Sequence, residues 1–90
     1  FGESDGTVSP RLQALADAGR RANVEAVASP RIEYDLWAKF ARLATFSGIT
    51  SLTRLPVGPI RANADLFAQV PQAIAEAFAV GKVRGVALDD

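Results

Sequence analysis

Prolines divide this chain more firmly than any other feature. A proline removes a backbone donor and fixes φ, so it marks where helices start, bend or stop. The five are Pro10, Pro30, Pro56, Pro59 and Pro71. Two follow serine. Ser9-Pro10 and Ser29-Pro30 each read as a helix start, with serine at the N-cap and proline at the first helical position. After the first, Leu12, Leu15 and Ala16 share one face, and Gly19 can end the helix. After the second, Ile32, Leu36, Phe40 and Leu43 recur at helical spacing. Trp37 reads as a core anchor. Gly48 is expected to bend or interrupt this helix, and Ile49 and Leu52 carry it on toward Pro56. Pro56, Gly58 and Pro59 predict a break.

A last helix is expected over Ala64 to Val80. Phe67, Val70, Ile74 and Phe78 form one face, and Asp65, Gln69, Gln72 and Glu76 the other, a strongly amphipathic pattern. Pro71 lies inside it, and Gly81 and Gly85 are expected to loosen its end. Phe1 to Val8, with two glycines among polar residues, reads as a lead-in segment or linker. Val24 to Ala28 is the one candidate strand, too isolated to build a sheet alone. The expected fold is a small, mainly α domain.

Ninety residues hold one domain at most. Size scaling gives roughly 63% of the unfolded surface buried on folding, enough for one modest core. Hydrophobic residues are 49% and charged residues 22%, which excludes disorder for the body of the chain. Ten basic and ten acidic residues are interleaved to a net charge of zero. The basic footprint of a nucleic-acid binder is missing. No apolar run approaches the ~20 residues of a membrane helix. The chain contains no cysteine and no histidine. That excludes disulfides, Cys/His zinc sites and His-activated nucleophiles, and it fits a reducing compartment. No glycine trio makes a dinucleotide fingerprint, and no metal-ligand spacing is present.

Chemistry must then come from Lys, Arg, carboxylates, Ser, Thr or Tyr34. Lys39 starts beside the apolar stripe, close to Leu36 and Leu43 in helical projection. An ammonium held there can donate to a ketone oxygen and stabilise the charge formed when hydride attacks the carbon. It can then deliver the proton. An equally plain reading makes Lys39 the last member of a surface ladder, Arg31, Asp35 and Lys39. Ser47 falls on the same side of the helix. It can hydrogen-bond a substrate carboxylate, or bond back to the preceding turn. Arg54 and Arg61 flank the proline-rich break as anion binders or as plain surface.

Leu36-Trp37-Ala38-Lys39-Phe40, followed by Thr50-Ser51-Leu52-Thr53-Arg54 and Pro56-Val57-Gly58, resembles the substrate-domain core of the ketopantoate reductase family. Phe1-Gly2-Glu3, with Asp5-Gly6 and Arg11 behind, is similar to the family's exit from its cofactor domain. The resemblance implies a helical domain like the C-terminal domain of 6-phosphogluconate dehydrogenase. Residues 1–8 would be the linker from a missing Rossmann domain, and 9–90 part of the helical substrate and dimerisation domain. It implies a cytoplasmic NADPH-dependent reductase of pantothenate biosynthesis, with NADPH held mainly by the missing domain. The implied partners are a small 2-oxoacid, that Rossmann domain, and a second copy in a homodimer. Lys39 would be the catalytic lysine and Ser47 a substrate-binding residue. The family's asparagines correspond here to Leu43 and Ser47, so the substrate stays open between ketopantoate and another small oxoacid. The expected chain is thus a fragment, inactive alone. The alternative is a helical interaction or dimerisation module without catalysis.

Overall fold

A computed structural model describes residues 1–88. It contains α1 (Pro10–Arg21), α2 (Ile32–Thr53), α3 (Val57–Ala62) and α4 (Ala64–Val83). The mainly α expectation holds. The strand does not: residues 24–28 carry no regular secondary structure, and no strand occurs among the described residues. Two compact units are formed, Phe1–Asp35 and Leu36–Asp90. The last two residues of the expected helical span, 89 and 90, lie outside the described residues.

In the first unit the lead-in segment is hydrogen-bonded into place. The Phe1 carbonyl accepts from the Ser29 amide at 2.8 Å. Ser9 Oγ accepts from the Leu12 amide at 3.3 Å, capping α1 as its sequence signal implied. The same hydroxyl donates to Glu3 Oε1 at 2.7 Å, and the Arg11 guanidinium pairs with both Glu3 oxygens. These contacts hold the Glu3 carboxyl down from 4.5 to about 2, the Arg11 hydrogen bond first and the Ser9 hydrogen bond second.

Leu12 and Ala16 are buried, while Leu15 on the same stripe is exposed. Gly19 does not end α1. A Cβ there would stand 2.6 Å from the Ala26 Cβ, so this glycine lets the segment after the helix press against it. The helix stops instead at Asn23, whose φ is 57°. Asn23 donates to the Arg20 carbonyl and Val24 to the Gly19 carbonyl, which satisfies the last orphan acceptors.

In the second unit Gly48 lies inside an unbroken α2. Within the Ser/Thr-rich stretch around it, the Thr50 and Thr53 hydroxyls donate to the Phe46 and Ile49 carbonyls, both at 2.6 Å, so these polar side chains are satisfied without leaving the helix. The expected break falls at residues 54–56, between α2 and α3, and Gly58 and Pro59 beyond it are already helical. Pro59 falls in the first turn of α3, where amides have no intrahelical partner to lose. Ile60 of α3 is fully buried, and α3 packs on α4. Asn63 Oδ1 caps α4 by accepting from the Leu66 amide at 3.1 Å.

The end of α4 is locked rather than loosened. Gly85, with φ 86°, donates to the Lys82 carbonyl, and Val86 donates to the Gly81 carbonyl. Gly81 is buried. A Cβ there would meet Leu88 Cδ1 at 2.5 Å and the Trp37 ring at 3.0 Å, so Trp37 of α2 and Leu88 close onto bare α4 backbone. Trp37 also meets the Phe40 ring edge-on at 5.5 Å. The remaining core is small: Ala41, Val70, Val86 and Leu88.

Two stability outcomes follow from this packing. Gly81→Ala should cost about 1–3 kcal/mol through overpacking. Gly48→Ala, with no atom within 4 Å of the new methyl, should add about 0.5–1 kcal/mol as a helix-interior change. Urea midpoints of the two variants read both signs. Glu3, whose pKa is lowered in the folded state, stabilises above pH 4.5, and its contribution is lost as pH falls toward about 2. Glu3→Gln should therefore flatten the fall in the thermal midpoint across that window, and an unchanged slope would show that Glu3 contributes nothing there.

Candidate functional site

Lys39 and Ser47 are both brought to the surface by α2. The pair sits two helical turns apart, about 12 Å along the axis, with Leu43 midway. Successive members of the i, i+4, i+8 series Lys39, Leu43, Ser47 are offset by about 40°, so the three form one ridge. All three are exposed. Leu36, Phe40 and Leu43 are 57%, 54% and 50% exposed. The stripe that reads as a core face in the sequence is therefore the uncovered face of the helix. What α2 buries instead are Ala41 and Thr45, on its other side.

The ladder from Arg31 through Asp35 to Lys39 forms only in its first half. Asp35 lies 4.0 Å from the Arg31 guanidinium and accepts from the Ser29 hydroxyl. The Ser29 hydroxyl in turn accepts from the Arg31 amide at 3.1 Å, so it serves a turn ahead of α2 rather than an N-cap. Arg31 also stacks over Tyr34, 4.3 Å from the ring centroid. With Asp35 engaged this way, Lys39 makes no ion pair or hydrogen bond among the described residues. Its ammonium stands in solvent beside an apolar strip. The Ser47 hydroxyl likewise has no partner among the described residues. The back-bonding expected of it is done by Thr50 and Thr53 instead.

Two hollows line the opposite side of α2, against α4. One, about 300 Å³, is walled by Gly48, Ile49, Leu52, Leu66, Gln69 and Ala73 among others. The other, about 460 Å³, runs past Trp37, Ala44, Thr45, Ala77 and Val80. Neither includes Lys39 or Ser47. The sequence reading missed this groove. Its signal is the four-residue spacing of small side chains, Ala44 with Gly48 and Ala73 with Ala77, which leaves room between the helices. A third hollow of about 240 Å³, lined by Leu36, Trp37 and Phe40, is shallow and apolar and opens one turn before Leu43.

No group of three Asp or Glu side chains among the described residues is placed to hold a metal ion. No helix is long and apolar enough to cross a membrane. Arg54 ends α2 with φ 56°, and Arg61 sits in the last turn of α3.

Comparison with known proteins gives the family of the helical part of the chain. Residues 31–90 match the family described as ketopantoate reductase PanE/ApbA C terminal. The chain belongs to that family. It is 40% identical over 63 residues to the uncharacterized oxidoreductase YkpB of Bacillus subtilis, covering 70% of this chain and 21% of that protein. It is 35% identical over 75 residues to a 2-dehydropantoate 2-reductase of Archaeoglobus fulgidus, covering 83% of this chain and 25% of that protein. The chain thus spans about a fifth to a quarter of the curated relatives it matches. No solved structure matches it.

Proposed function

We propose that this chain supplies the catalytic helix of a cytoplasmic, NADPH-dependent reductase of small 2-oxoacids, akin to the ketopantoate reductases of pantothenate biosynthesis. One observation carries the reading. Lys39 presents an unpaired ammonium, among the described residues, on a ridge with Ser47 and beside half-exposed Leu36, Phe40 and Leu43. Half-exposed bulky side chains grouped beside a cation suit a face that meets a partner.

The division of labour follows from the chemistry. The Lys39 ammonium donates to the keto oxygen and so stabilises the alkoxide as charge builds there. It then gives up a proton to yield the hydroxy acid, and solvent restores it. The Ser47 hydroxyl donates to the carboxylate at the other end of the ridge. A cofactor domain closing over Leu36, Phe40 and Leu43 would exclude water and strengthen both contacts.

The hydride for the keto carbon is the chemistry that NADPH brings. The residues of this chain do not fit a dinucleotide site. The N-termini of α1 and α4 are closed by their own caps, Ser9 and Asn63. No glycine-rich turn leads into a helix. NADPH is accordingly assigned to a Rossmann domain outside these ninety residues. The absence of cysteine fits a cytoplasmic setting.

A second reading, a helical interaction or homodimerisation module without catalysis, draws on the same exposed strip and on the apolar groove between α2 and α4. The two readings separate on activity. In the complete enzyme Lys39→Ala should lower kcat by roughly 10²–10⁴, the usual share of a positioned acid. Unchanged turnover with dimerisation intact by analytical ultracentrifugation would reject the catalytic reading in favour of the module. The ninety-residue chain alone should bind NADPH no tighter than about millimolar, some −4 kcal/mol. A lower dissociation constant by fluorescence titration would overturn the assignment of the cofactor to another domain.

A further inference from the structure

We propose that residues 24–28 are the edge onto which the segment preceding Phe1 adds as a parallel β-strand, so that the first unit serves as a strand–helix–strand element of the cofactor domain. The inference rests on that domain lying ahead of Phe1 and is independent of the role of Lys39.

Two hydrogen bonds give the direction of the pairing. The Phe1 nitrogen donates to the Val27 carbonyl at 3.3 Å, and the Phe1 carbonyl accepts from the Ser29 amide at 2.8 Å. A residue that donates to position 27 and accepts from position 29 is matched with Ala28 in the slanted bond pattern of a parallel ladder. Parallel neighbours need a crossover of a dozen or more residues, usually a helix, and α1 lies between Phe1 and Ala28. Gly2 holds the register. A Cβ there would stand 2.6 Å from the Ile32 Cβ and 2.7 Å from the Ser29 carbonyl oxygen, so a bare backbone is what passes this close.

Residues 24–28 have the period-two exposure of extended chain with one covered face. Ala26, which meets Gly19 of α1, and Ala28 are half-buried. Glu25 and Val27 are exposed, Val27 at 64%. The amides of Glu25, Ala26 and Val27 make no hydrogen bond among the described residues. Continued upstream, the same pattern has the residue two before Phe1 accept from the Val27 amide and donate to the Glu25 carbonyl. An open edge of this kind recruits a strand. The segment before Phe1 is favoured over a second copy because the pairing already begins at Phe1, which delivers the preceding residue beside Val27. Proteins like this one have length to supply it, since the chain covers 21% and 25% of its two curated relatives. The family match begins at residue 31, just after this edge. Residues 24–28 become regular strand only when that partner is paired.

Disulfide register tests this in the complete protein, with any cysteines outside these ninety residues replaced. The position immediately before Phe1 is expected opposite Val27 and on the same face, about 4.8 Å away between Cα atoms and within disulfide reach. It is expected about 8 Å from Glu25, beyond that reach. A cysteine introduced at that position should cross-link within the chain to Val27→Cys and not to Glu25→Cys. Cross-linking of both, of neither, or of Glu25→Cys alone overturns the inference. A disulfide between two chains gives the edge to a second copy and overturns it too. In the unsubstituted protein the Val27 amide, followed by NMR, should exchange with deuterium on the order of 10²-fold more slowly than an unpaired amide. Free exchange there overturns the inference without any variant having to fold. Turnover separates the two readings. A register-specific disulfide in a protein that reduces no 2-oxoacid with NADPH keeps the pairing and rejects the reductase, and turnover without that disulfide does the reverse.

Discussion

Everything that gives α2 an open face depends on how closely it meets α4 at Gly81. A Cβ at that position would overlap both the Trp37 ring and the Leu88 side chain. The two residues can close onto α4 only because its backbone is bare there. Trp37 and Lys39 are two positions apart on one helix, about 200° around the axis. Seating the indole on Gly81 therefore turns Lys39, Leu43 and Ser47 away from α4. The Schellman turn at Gly85 belongs to the same arrangement, since it returns the chain so that Val86 and Leu88 bury against the end of the helix. Two glycines with different tasks, one of space and one of φ, thus settle which side of α2 is left for function.

Much of the secondary structure was legible because capping is local. Ser9-Pro10 starts α1, and α4 begins at Ala64, where the amphipathic pattern starts. What failed were readings that treat glycine and proline only as breakers. Gly19, Gly48, Gly58 and Pro59 all lie in helix, while the break read at Pro56 does separate α2 from α3. Gly19 serves a close contact, Gly48 is tolerated inside α2 at the modest cost of a helix-interior glycine, and Pro59 occupies a turn that needs no donor. Asn23, which does end α1, was overlooked because its left-handed turn shows only as hydrogen bonds between residues five apart.

The candidate site was legible in its residues and not in its surroundings. Periodicity found the strip Leu36, Phe40, Leu43 but not that it lies uncovered. Hydrophobic spacing says that residues share a face; it does not say what covers that face. The face α2 does bury is built on Ala41 and Thr45, too small and too polar to stand out in a pattern search. Small residues let α2 approach its neighbours, while Leu36, Phe40 and Leu43 remain half-exposed. The match to the ketopantoate reductase family over residues 31–90 fits that division, because those residues include all of α2, α3 and α4.

The length of α2 has a mechanical consequence. Its 22 residues make one continuous helix, about 33 Å long, with Lys39 roughly a third of the way along it. A side chain mounted there has its main chain clamped by hydrogen bonds on both sides. No loop can swing the Lys39 main chain; any displacement of it carries the helix along.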